Sequence, residues 1–173
     1  MRNTVLVVSL LFLLGIAGRL LPHPPNFTPM EAVALFSGAW LGGRIGAFLV
    51  PIAILGITDW VLGWHGLWPF TWGATLIGVV LGRYLLSKRR LLSVLGVSLL
   101  QACIFFGVTN FGVWLQGYYG YTWTGLWACY TAAIPFFHYQ VFGAWTYGLV
   151  LWGIEWAVRR RVQAAVVPSS PHA

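Results

Sequence analysis

Apolar residues run in long blocks along this chain, and the polar residues between them come in short clusters. Crossing a hydrocarbon layer of roughly 30 Å takes about 20 apolar residues per helix. The chain divides into six such blocks with little left over, at about 4–21, 30–42, 44–62, 70–87, 91–110 and 129–157. The pattern therefore predicts an all-α protein, a single bundle of six transmembrane helices over residues 1–160. The second block is short and opens after Thr28-Pro29-Met30-Glu31. There Thr28 is expected to cap, Pro29 to occupy the first turn and Glu31 to complement the helix dipole. Pro51 lies inside the third block and Pro135 near the start of the sixth. The aromatic, glycine-rich stretch 111–128 breaks the helical pattern and predicts an interfacial loop or re-entrant segment. Residues 161–173 read as a disordered cytoplasmic tail. The first block follows Arg2 as a signal peptide would, but no small-x-small site precedes a polar sequence, so an uncleaved helix is expected.

Composition strengthens the membrane reading. Of 173 residues, 59% are hydrophobic and 8% charged, and there are eleven tryptophans, more than a soluble domain of this size tolerates on its surface. A net charge of +7 raises nucleic acid as a partner. The basic residues exclude it, because they border apolar runs as Arg83, Lys88-Arg89-Arg90 and Arg159-Arg160-Arg161 instead of forming one aromatic-interleaved surface. Placed on the cytoplasmic side, these clusters put both termini, Arg2 and Arg44 inside, and the loops near 25, 66 and 118 outside. Arg19 alone falls at the opposite end. It is therefore expected to serve a substrate or a buried acid, not topology.

The stretch Arg19–Glu31 gathers much of the scarce polar chemistry into one proline-stiffened break. The same outer half collects Arg19, His23, Asn26, Glu31, Asp59, His65, Asn110, Gln116, Tyr118 and His138. Asp59 is the only aspartate, and a carboxylate in a membrane helix needs a cation, a donor network or a ligand. Pairing with Arg19 or with His23 would fasten helices one and three. His23 sits among Pro22, Pro24 and Pro25, so its imidazole is presented at low entropic cost, as a ligand contact or as a headgroup-level residue. His65, between tryptophans, reads as interfacial. Zinc held by His23, His65, His138 and Asp59 is conceivable by residue type but lacks diagnostic spacing, so no metal is expected. Cys103 and Cys129 read as small buried hydrophobes. With no Gly-x-Ser-x-Gly, Walker loop or intramembrane aspartate pair, an enzyme is not expected. Asn26-Phe27-Thr28 fits a glycosylation pattern but reads better as cap and turn. Gly38, Gly42 and Gly46, with Gly78 and Gly82, have the four-residue spacing of closely packed helices. Glu155 and Arg159 are spaced to pair.

Four motifs in order, Arg19-Leu-Leu-Pro-His-Pro-Pro-Asn-Phe-Thr-Pro, Thr58-Asp59-Trp-Val-Leu-Gly-Trp-His65, Thr109-Asn-Phe-Gly-Val-Trp114 and Ala133-Ile-Pro-Phe-Phe137, carry a resemblance that extends to about residue 155. They resemble small bacterial six-helix membrane proteins related to the S components of energy-coupling-factor vitamin transporters, among them solitary cobalamin-uptake proteins. The resemblance implies vitamin uptake across a bacterial inner membrane, with a corrinoid (cobalamin) as the first-guess ligand, bound as substrate and not as a required cofactor. It implies an outward pocket roofed by the loops after helices one, three and five, with His23 and Asp59 at polar positions near the substrate. Together with the polar residues of the outer half, His23, Asn26, Asp59, Arg19, Tyr118 and His138 are expected to bind the ligand, and the stretch 111–128 to form a wall and lid. Such relatives offer a helix-four cysteine to cobalt, whereas residues 70–82 contain none; His23 or His138 would have to take that place. His138 also stands where relatives carry arginine, and Ala144 near an expected acid. An energising ATPase module is an implied partner, although Ser9, Leu13 and Ala17 give only a broken version of its docking face. The alternative is a structural or accessory subunit with no ligand of its own.

Overall fold

The computed structural model describes residues 4–42, 44–86 and 90–166. Arg2, Lys88, Arg89 and residues 167–173 of the expected tail lie outside the described residues. Six helices and no strand are found among the described residues: α1 Thr4–Leu20, α2 Met30–Leu41, α3 Gly46–Leu62, α4 Trp68–Leu85, α5 Leu91–Leu115 and α6 Trp123–Val166. By length and composition α5 and α6 are the two helices that suffice to cross a membrane, while α1, α2 and α3 are apolar but shorter. Large apolar side chains such as Leu13, Leu49, Leu92, Leu100, Ile134 and Val150 point outward, where helices of a soluble bundle carry charge.

The shortest helix forms the centre. α2 is buried from Met30 to Gly38 and packs against each of the other five helices. Its small residues permit this. A Cβ placed on Gly38 would strike the carbonyl oxygen of Val79, and one on Gly82 the carbonyl of Leu35, so α2 and α4 meet backbone to backbone. Gly78 faces Ala34 in the same contact. Gly42 and Gly46 do not take part, since a Cβ on either meets nothing; Gly42 instead turns the chain out of α2 at φ 66°. Ser37 Oγ donates to the Ala47 carbonyl at 2.7 Å and closes that turn onto α3. α1 buries Val7, Leu11 and Gly15 against this centre, leaving Ser9, Leu13 and Ala17 exposed on its far side. Of the two cysteines, Cys129 is buried and Cys103 is exposed.

Three local expectations are corrected. Residue 29, not 28, precedes α2, and no side chain caps it. The stretch 111–128 is mostly helical: α5 continues to Leu115 and α6 begins at Trp123, six residues before the expected start at 129. The break is confined to Gln116–Thr122, where Gly117 and Gly120 adopt φ 85° and 73°. Thr122 Oγ1 accepts from the Gly125 amide at 3.0 Å, an N-cap that opens α6. Tight packing explains why glycine does not break the flanking helices; a Cβ on Gly112 would collide with the Phe70 ring. At its other end α6 runs to Val166, past the expected end at 157 and through the first residues of the supposed tail. The pairing of Glu155 with Arg159 forms as spaced, Nη2 to Oε1 at 2.8 Å, and Trp40 Nε1 donates to Oε2 at 2.9 Å, tying the end of α2 to α6.

Candidate functional site

The C-terminal ends of α1, α3 and α5 and the N-terminal ends of α2, α4 and α6 come together at one end of the bundle. The basic residues Arg44, Arg83, Arg90 and Arg159 belong to the opposite helix ends. The connection 21–29 is laid across this end by packing. Gly18 lies under the Pro29 ring, Gly143 of α6 under the backbone of Phe27 and Thr28, and the Phe27 ring sits 5.7 Å from that of Tyr147. Asn26 holds φ 63° in that connection, a conformation asparagine tolerates better than most residues.

Between these ends lies a cavity of about 400 Å³. Arg19, His23, Asn26, Glu31 and His65 line it on the polar side, with Thr71 and Thr75 of α4 and Thr109 and Asn110 of α5. Leu55, Phe105, Phe106, Val113 and Phe136 supply the apolar side. Much of the polar side has already spent its hydrogens. Thr71, Thr75 and Thr109 donate their hydroxyls to Trp68, Thr71 and Phe105 carbonyls at 3.1, 2.8 and 2.8 Å, and Asn110 Nδ2 donates to Phe106 at 2.8 Å. Their oxygens keep free lone pairs. His23 Nδ1 lies 2.8 Å from the Pro24 carbonyl, which can only accept, so Nδ1 is the donor in that contact.

Glu31 is 3% exposed. Its Oε1 accepts from Gln140 Nε2 at 3.1 Å, and Gln140 also donates to the Ala102 carbonyl at 3.2 Å. Oε2 has no hydrogen-bond partner. A buried carboxylate oxygen left without a donor is costly and rare in a native fold. Sequence reasoning placed Glu31 in the outer half only as a dipole complement; its role as a cavity wall depends on Gln140, across to α6.

Asp59 stands behind the cavity wall. It is 1% exposed, and its Oδ1 accepts from Arg19 Nη2 at 2.7 Å while Oδ2 accepts from Trp72 Nε1 at 2.8 Å. His65 Nε2 is 3.8 Å from Oδ2. Of the two pairings open to Asp59, the one with Arg19 is formed. Trp72 was not singled out by the sequence; it stands edge-on to Trp68 with ring centres 5.5 Å apart, in a cluster with Trp64. The connections after α3 and α5 meet beside the cavity, where a Cβ on Gly66 would lie 2.7 Å from Gln116 Nε2.

The remaining two residues of the expected site lie outside the cavity lining. Tyr118, 81% exposed, projects from the 116–122 connection. His138 lies on the exposed side of α6 with its ring 3.9 Å from that of Tyr139. Among the described residues no three His, Cys, Asp or Glu side chains are grouped to hold a metal ion.

Residues 1–166 match a family of unknown function, DUF6580, and the chain belongs to that family. No curated protein and no solved structure matches it.

Proposed function

We propose that this DUF6580 member is a six-span protein of the bacterial inner membrane that binds a vitamin-sized molecule in the cavity and serves its uptake, as S components do. The observation that carries this reading is the cavity itself, about 400 Å³ lined by polar side chains from every helix but α3, at one end of an otherwise apolar bundle. The basic helix ends lie opposite, so the positive-inside rule directs the cavity outward. Its volume lies toward the low end of the ~300–1,000 Å³ typical of drug-sized ligand sites, which favours a compact ligand. A whole corrinoid is larger than that, and would enter only with the connections at Gly66 and Gln116 apart. The chain carries no nucleotide-binding loop, so uptake is either facilitated or driven by an ATPase module supplied as a separate partner.

Filling the cavity tests the reading. Ala133→Trp should abolish uptake and remove any small molecule that mass spectrometry finds retained by purified protein, with membrane expression preserved. Retention and uptake equal to the parent protein would overturn it. Purification from cells supplied with cobalamin decides the corrinoid separately, since a retained corrinoid colours the protein. One observation favours the accessory-subunit reading instead: Arg19, Asp59 and Trp72 satisfy one another without any ligand. On that reading Ala133→Trp changes nothing but partner assembly.

A further inference from the structure

The cavity differs from a general polar pocket in the kind of hydrogen-bonding group it offers. The hydroxyls of Thr71, Thr75 and Thr109 donate to their own helices. The Nδ1 of His23 is held by the Pro24 carbonyl. What the three hydroxyls turn to a ligand is lone pairs. The charge has the same sign. Arg19 is matched by Asp59 at 2.7 Å, whereas Glu31, the only acid in the lining, is met by the neutral amide of Gln140. The lining thus holds one carboxyl group with no cation bonded to it, its Oε2 buried and unpartnered.

Resting on the cavity reading above, we propose that the ligand carries a cationic N–H head group, a protonated amine or an amidine, that donates to Glu31 Oε2 while a flat apolar body lies against Phe105, Phe106 and Phe136. An ammonium or amidinium supplies several donors and a matching charge. A carboxylate or phosphate set against Glu31 Oε2 would meet an acceptor and no matching donor.

Three probes of one size separate these cases: benzamidine, benzoate and benzyl alcohol, titrated calorimetrically against the purified full chain. Benzamidine should bind at least ~10-fold more tightly than the other two, the scale of a charge-assisted hydrogen bond. Glu31→Gln keeps the volume and an acceptor for Gln140, and should remove that advantage while moving benzyl alcohol less than about twofold. The comparison of probes on the parent protein needs no variant, so a folding defect in Glu31→Gln leaves the test intact. Benzoate or benzyl alcohol binding as tightly as benzamidine, benzamidine affinity unchanged in a folded Glu31→Gln protein, or no binding of benzamidine would each overturn the inference. None of these results touches the uptake reading, which stands or falls on Ala133→Trp.

Discussion

At Asp59 the side chain is fully engaged by protein, and the consequence of removing it follows from that. Asp59→Ala strands the Arg19 guanidinium beside the half-buried Trp72 indole N–H, and loss of one partner from a buried ion pair costs about 3–5 kcal/mol. The partial exposure of Arg19, 16%, puts the expectation at the low end. Thermal unfolding in detergent should show a large drop for Asp59→Ala and a smaller one for Asp59→Asn, which keeps an acceptor for Trp72. Equal losses would mean that charge is irrelevant at this position. The partnership with Arg19 was legible in the sequence because one is the lone aspartate and the other the lone cation at the wrong end. Trp72 was not, since nothing local distinguishes it among eleven tryptophans. Glu31 was legible as a helix start and illegible as a cavity wall, because its partner Gln140 lies 109 residues away.

Between helices, the seam of α2 and α4 is the least forgiving contact. Gly82→Ala would push a methyl group into the Leu35 carbonyl, and overpacking of this kind costs about 1–3 kcal/mol or more. Gly46→Ala, where a Cβ meets nothing, should be neutral or mildly stabilising in the same unfolding assay. The glycine spacing announced a close contact, but it could not separate glycines that pack from Gly42, which turns. The link between α2 and α6 has a different signature. Gln140→Leu leaves Glu31 without its donor and should cost about 1–3 kcal/mol, whereas adding Glu31→Met should recover part of that loss. A double variant less stable than the sum of the singles would contradict the pairing. The limits of α5 and α6 were obscured because aromatic and glycine residues fill both the helices and the turn. Thr122 and the two glycines at 117 and 120 were the local signals available.

For the molecule as a whole, the proposed orientation makes opposite ends reachable from opposite sides of the membrane. In a Cys103→Ser, Cys129→Ala background, Tyr118→Cys should react with an impermeant maleimide on intact spheroplasts. Arg161→Cys should react only after permeabilisation. Labelling of both from one side would overturn the six-span arrangement. The number of helices and their order were readable from the apolar blocks, whereas the convergence of six helix ends around one cavity depends on the central position of α2. That position follows from residues such as Ala32, Ala34 and Gly38, whose small size became informative only with the neighbouring helices in place.

One unbroken helix, α6, supplies Ala133, Phe136 and Gln140 to the cavity and Arg159 to the far end. At about 1.5 Å per residue it is a rod of roughly 66 Å, more than twice the hydrocarbon thickness. A rod held at its waist is a lever: with Arg159 roughly 28 Å along the axis from Gln140, a tilt of about five degrees imposed where a ligand seats swings the distant guanidinium by about 2 Å. On the proposed function, occupancy would then cross the bilayer as a mechanical displacement, with no chain of polar side chains needed to relay it.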